Sequence, residues 1–195
     1  TTNTLVPGFL KHSVANAYLV YRSFLSFDLS NITPQKVTGV SLHLTRQNSN
    51  ANDFDLYLLK SEASDAVGTS DYQDGLVGVS SYPFTSDVTK YYDSAWTPGG
   101  TSAGNVRLVT LNSTAITDVQ SVMGSGKFKI AIVSQYDYNN LWPMVADALV
   151  IKGPIFYSTQ DSTTSNHPFI RITTEQTNLK ISSNLSFKGG NHTIK

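Results

Sequence analysis

The chain contains no cysteine. That excludes a disulfide framework and a thiolate metal site. Charge is sparse as well. Ionisable Asp, Glu, Lys and Arg make up 14% of the 195 residues, where globular domains usually carry about 25%. Lys plus Arg number 14 and Asp plus Glu number 14, so the formal net charge is zero. Phosphate backbones are held by a basic excess or stripe, so nucleic acid is not the expected partner. Glutamate is nearly missing: only Glu62 and Glu175 occur, which removes one of the better helix formers. No apolar run approaches the roughly 18 residues of a membrane span, and no signal-peptide pattern is present. The chain starts on Thr1 rather than Met, which reads as a processed form or an excised piece.

What the chain has instead is uncharged polarity and aromatic rings: 24 Ser, 21 Thr, 14 Asn, 10 Tyr and 9 Phe. Such a composition favours strands over helices. Period-two alternation appears at Leu25, Phe27 and Leu29 within Tyr18–Leu29, at Val40, Leu42 and Leu44, and at Phe54, Leu56 and Leu58. It recurs at Phe128, Ile130 and Ile132, and Val106–Leu111, Leu149–Tyr157 (interrupted by Gly153–Pro154) and Phe169–Ile172 are further strand candidates. Each marks a short strand bounded by Ser, Asn, Gly or Pro. His43 alternates with Leu42 and Leu44, so it points to solvent or to the second face of its sheet. Ala115–Met123 is the one helical candidate, with Ile116, Val119 and Val122 three apart, Thr114 as its cap and Gly124 as its stop.

Seven or eight short strands with at most one short helix predict an all-β fold, an antiparallel β-sandwich or jelly roll, over residues 1–174. Residues 175–195 read as a separate C-terminal tail, hairpin or linker. There Asn178–Leu179–Lys180–Ile181 is echoed six residues later by Asn184–Leu185–Ser186–Phe187. Its alternating apolar residues need another surface, either the sandwich itself or a neighbouring chain, and self-association through the tail is the expectation.

Motifs for catalysis are lacking. The four histidines, His12, His43, His167 and His192, show no metal-ligand spacing, and no H-E-x-x-H, G-x-S-x-G or phosphate loop occurs. Gly124–Ser125–Gly126–Lys127 falls where a helix ends rather than begins. A glycosidase would need aspartates for both roles, and no pair stands out. The chain is therefore read as non-enzymatic and without a cofactor, save for a structural calcium that Asn50–Asp55 or Asp71–Asp74 has the oxygen atoms to ligate. Asn31, Asn112, Asn184 and Asn191 each begin an N-x-S/T triplet.

The clearest binding signal is Tyr136–Asp137–Tyr138–Asn139–Asn140–Leu141–Trp142. Flat rings offer a platform for the C–H face of a sugar, and planar amides and carboxylates match its hydroxyl pairs. Tyr136, Asp137, Tyr138, Asn140 and Trp142 are the candidate carbohydrate-binding residues, against the alternative that the loop's aromatic rings cap the core. Tyr91, Tyr92 and Trp96 form a second cluster, in which Trp96 reads as a core residue.

Arg22–Ser23–Phe24–Leu25–Ser26–Phe27–Asp28–Leu29–Ser30, Val40–Leu44, Asp87–Val88–Thr89, Trp96 with Gly99, Phe128–Ile132, Phe156–Tyr157–Ser158 and Pro168–Ile172 follow one another in an order and spacing that resemble the DNRLRE-type domain, a secreted β-sandwich related to disaggregatase-like proteins. The family's aspartate-led opening strand has no counterpart in Thr1–Asn16. The resemblance implies a jelly roll similar to carbohydrate-binding modules, mostly non-catalytic, located outside the cell, on its surface or on a virion. It makes a glycan or surface polysaccharide the expected partner. The alternative function is structural, as a building block of a phage particle or surface filament.

Overall fold

In a computed structural model the chain is described over residues 4–5, 7–11, 18–47, 54–64, 88–99, 103–141 and 153–175. The strands are β1 (Thr4–Leu5), β2 (Gly8–Lys11), β3 (Tyr18–Tyr21), β4 (Ser23–Asp28), β5 (Val37–Thr45), β6 (Leu56–Lys60), β7 (Val106–Thr110), β8 (Lys127–Ser134), β9 (Phe156–Tyr157) and β10 (Phe169–Thr174). Helix α1 spans Ser113–Val122 and α2 spans Gln135–Asn139; a 3₁₀ turn covers Thr164–Asn166. Of the sequence expectations, the Asp71–Asp74 motif, Trp142 and the tail echo Asn178–Phe187 lie outside the described residues.

Two antiparallel three-stranded sheets, ordered β10–β5–β7 and β4–β8–β6, form the sandwich, with the two-stranded pairs β1–β9 and β2–β3 beside them. Alternation fixes which side chains face inward. From the first sheet come Val40, Leu42, Leu44 and Val109; from the second come Leu25, Leu56, Leu58, Phe128, Ile130 and Ile132. Register aligns these sets, with Leu42 opposite both Ile170 and Val109, and Leu25 opposite Ile130. Leu42, Leu44, Leu56, Ile130 and Ile132 are wholly buried. Phe27, expected beside them, is half-buried, because it lies near the end of a marginal strand. Trp96 is a core residue: it is buried, its ring packs 6.2 Å from that of Phe156, and its backbone pairs with Leu56.

The predicted strand from Tyr18 to Leu29 is interrupted at Arg22, which separates β3 from β4. The helix lies where the apolar spacing places it, but its cap is Asn112, not Thr114: Asn112 Oδ1 accepts the N–H of Ala115 at 3.2 Å. Asparagine in extended backbone suits that role. Asn112 Nδ2 meanwhile donates to Lys90 O (3.0 Å) and Asp93 Oδ1 (2.6 Å). Gly124 stops the helix with φ of 82°, and its N–H donates to Leu29 O at 2.8 Å. Ala115, Val119 and Met123 face the core from α1.

β8 departs from simple alternation. Ala131 and Val133, on its second face, are also fully buried, in a smaller cluster with Leu59 and Val88. Phe24, Tyr57 and Tyr138 pack against that cluster. β8 and its neighbour β6 are therefore covered on both faces around Ala131, Val133 and Leu59, and β8 reads as a near-continuous apolar run for that reason.

Candidate functional site

The segment expected to be an aromatic loop begins with a second helix. Ser134 caps it, its Oγ accepting the N–H of Asp137 at 3.1 Å, and Gln135 N–H donates to Asp55 O at 2.9 Å. Asn140 closes it in the left-handed conformation, φ 51° and ψ 38°, where asparagine is tolerated best after glycine. The signal was in the sequence as Ser134-x-x-Asp137, the capping pattern, followed by Asn140 three residues on.

This turn carries four of the five predicted binding residues. Tyr136 packs edge-on against Phe54, with centroids 5.2 Å apart. Tyr138 stacks on Tyr57 at 3.8 Å. Lys90 Nζ sits 5.4 Å from the Tyr57 centroid and 5.0 Å from that of Tyr138, within cation–π range of both. The Asp137 carboxylate turns inward to Arg22: Nε meets Oδ2 at 2.7 Å and Nη2 meets Oδ1 at 2.9 Å. The two side chains are 2% and 0% exposed. Asp137 thus fastens the turn to the β3–β4 junction. Asp28, at the end of β4, accepts the N–H and Oγ–H of Ser30 in a local turn. Asn140 and Leu141 are exposed at the tip.

A second group was missed in the sequence. On the outer face of the β10–β5–β7 sheet, Phe169, His43 and Leu108 lie opposite one another across all three strands, and Val106 pairs with Thr45 in the adjacent row. Phe169 is 41% exposed, Leu108 56% and Val106 50%. His43, expected to reach solvent or the second face, is on that second face but only 7% exposed. Its ring stacks on Phe169 at 4.2 Å, and Nε2 lies 3.2 Å from Ser41 Oγ. Burial and the nearby Arg171 guanidinium hold its pKa below the ordinary histidine value. Exposed Thr110, Thr173 and Arg171 surround the row. With strands about 4.8 Å apart, the three-residue row spans about 10 Å. The readable signal was parity: from Gly39 to Thr45 and along β10 the odd-numbered residues leave the core face, and His43 and Phe169 are both odd.

A cleft of about 290 Å³ lies between α1 and the β6–β8 pair, lined by Lys60, Tyr91, Asp118 and Ser121 among others. Asp118 Oδ2 there accepts from Tyr91 Oη (2.9 Å) and meets Lys60 Nζ (2.9 Å). Burial first, then the hydrogen bond to Asp118 and its charge, push the Tyr91 phenol well above its usual pKa. Tyr91, Asp118 and Lys60 thus satisfy one another within the cleft. Among the described residues no group of three or more His, Asp or Glu converges as metal ligands would, and no helix is long and apolar enough to cross a membrane. Of the oxygen-rich loop Asn50–Asp55, the described Asp55 carboxylate accepts from Thr97 Oγ1.

No family model matches the chain, and no curated protein matches it.

Proposed function

We propose that the chain is a non-catalytic carbohydrate-binding or adhesion module acting outside the cell or on a particle surface. Its ligand platform is the outer face of the β10–β5–β7 sheet. The observation that carries this reading is the in-register row Phe169–His43–Leu108, an exposed ring and aliphatic surface rimmed by hydroxyls and one guanidinium. A flat apolar strip receives the C–H faces of a polysaccharide, and the rim groups receive its hydroxyls. The resemblance to DNRLRE-type domains supports the same class. Tyr138 on α2 and Lys90, which both meet the ring of Tyr57 on β6, belong to a second and smaller aromatic surface.

The test is binding of the chain to a broad glycan array, followed by affinity electrophoresis on the polysaccharides retained. Phe169→Ala lowers affinity at least tenfold, while costing only about 1 kcal/mol of stability, the value of a half-exposed aromatic stack. Binding that survives Phe169→Ala but is lost in Tyr138→Ala moves the platform to the other surface. No binding to any glycan overturns the reading.

The runner-up is a structural role in a virion or filament. It is favoured by Val106 and Leu108, whose exposed aliphatic side chains suit a protein neighbour as well as a sugar. In that case Phe169→Ala changes the assembly state seen by light scattering and leaves no glycan phenotype.

A further inference from the structure

A second recess, of about 260 Å³, lies along β4. Four consecutive residues of that strand, Phe24 to Phe27, line it. Successive side chains point to opposite faces, so the recess takes in both faces of β4. β8 pairs along one side of β4, and among the described residues no strand pairs along the other. The recess therefore wraps the free edge of the strand. Ser158 and Thr159, just after β9, also line it, as does Lys129, which lies opposite Ser26 on β8.

Rings and hydroxyls meet in this lining. Phe24 packs on the smaller apolar cluster and Phe27 on the main core, yet both stay only partly buried. Each leaves ring surface beside the recess. Ser26 and Thr159 present exposed hydroxyls. Ser158 is 7% exposed, and its Oγ accepts the Gln160 N–H at 3.2 Å, which leaves its own proton to donate. Lys129 Nζ donates to Ala63 O at 2.7 Å, which holds the ammonium in place. Among the described residues no Asp or Glu lines the recess. Its volume falls below the ~300–1,000 Å³ of drug-sized sites, so it has room for one ring and not for a run of chain.

We propose that this recess binds a single pyranose ring, as a free monosaccharide or as the last unit of a glycan. The C–H face of the sugar lies on the phenylalanine rings, and its hydroxyls meet Ser26, Ser158, Thr159 and Lys129. The strip Phe169–His43–Leu108 is flat and suits a stretch of polysaccharide, whereas the recess is concave and suits one unit. The two surfaces belong to different sheets, and the recess binds its sugar whether or not the strip binds a polymer.

The test is an NMR titration of the isotope-labelled full chain with glucose, galactose, mannose and N-acetylglucosamine, each as the free sugar and as its α- and β-methyl glycosides. At least one of them shifts the amides of Phe24–Phe27 and Ser158–Thr159 saturably. Ser26→Trp fills the recess from an exposed position on an edge strand and abolishes those shifts. Thr159→Trp does so from the opposite wall, so the outcome does not hang on the folding of one variant. Ser158→Ala weakens binding by about three- to tenfold, the value of one hydrogen bond. Binding of one methyl anomer supports the proposal with a chain end as ligand; binding of the free sugar alone supports it with a monosaccharide as ligand. No saturable shift with any sugar overturns it, as does unchanged affinity in both tryptophan variants. Shifts confined to β5, β7 and β10 also overturn it, while leaving the sheet platform standing.

Discussion

Removing the Asp137 carboxylate tests how α2 is held. In Asp137→Ala the Arg22 guanidinium, whose side chain is 2% exposed, keeps its place but loses both oxygens that faced it at 2.7 and 2.9 Å. Breaking a buried pair by removing one partner costs about 3–5 kcal/mol. For a domain of this size each kcal/mol moves the melting temperature by about 2–4 °C, so the expected drop is roughly 6–20 °C. Replacing both residues, as in Arg22→Leu/Asp137→Leu, removes the stranded charge along with the pair. A doubly apolar replacement of a buried pair is often close to neutral. The double variant is therefore more stable than Asp137→Ala, and the coupling energy in the double-mutant cycle is at least 1.5 kcal/mol, the order seen for directly contacting pairs. Urea denaturation followed by circular dichroism supplies all four corners. A loss below about 1 kcal/mol for Asp137→Ala, or strictly additive single losses, would refute the closed ion pair. So would a variant that lost glycan affinity with its stability intact, because the carboxylate would then face a ligand rather than Arg22.

Other expectations follow from the same structure. The His43 pKa is depressed on folding, so the folded state binds fewer protons than the unfolded one. Its contribution is fully present above the unfolded value of about 6.5 and is lost as pH falls through the lowered folded value. Denaturant titrations at stepped pH show this slope, and His43→Gln flattens it; an unchanged slope contradicts the assignment. Gly124 has φ of 82°, and a Cβ there would approach Pro34 Cγ to 2.7 Å, whereas Gly104, φ 80°, has nothing within 4 Å. Gly104→Ala should cost about 1–2 kcal/mol from backbone strain alone, and Gly124→Ala should cost more; equal losses remove the steric argument. Asn112→Ala should cost about 1–2 kcal/mol as a lost helix cap, with thermal unfolding as the readout and a neutral result as its refutation.

Alternation made the sandwich legible. Leu42, Leu44, Leu56, Ile130 and Ile132 follow a period of two, and that period is what a sheet with one face on a core imposes. α1 was legible for the corresponding reason, a spacing near three and a half closed by a glycine. The interruption at Arg22 was not, because it depends on a carboxylate 115 positions away in sequence. Nor was the second buried face of β8, where Ala131 and Val133 look outward by pattern and are covered by Val88 and its neighbours. The aromatic signal of Tyr136–Trp142 is one of composition, which counts rings and amides without their partners. Tyr57 and Phe54 occupy the rings of Tyr138 and Tyr136, and neither contact is visible along the chain. His43 and Phe169 are farther apart still in sequence, so only the register of β5 with β10 makes their stack apparent.

The sheet order also governs how this chain can fold as it is made. β5 takes its partners from β7 and β10, and β8 takes its partners from β4 and β6. Synthesis runs from the N-terminus, so β4 and β5 leave the ribosome long before β8 and β10 exist. At about 5–20 residues per second, the side of β5 that receives β10 waits roughly 6–25 s. Throughout that interval a nine-residue strand presents unpaired backbone groups and bare leucines, the conditions that favour off-pathway strand pairing. A nascent-chain chaperone therefore raises yield by protecting a growing chain rather than by stabilising a finished one. Truncations ending before Phe169 should collect in the insoluble fraction even though most of the core residues are present.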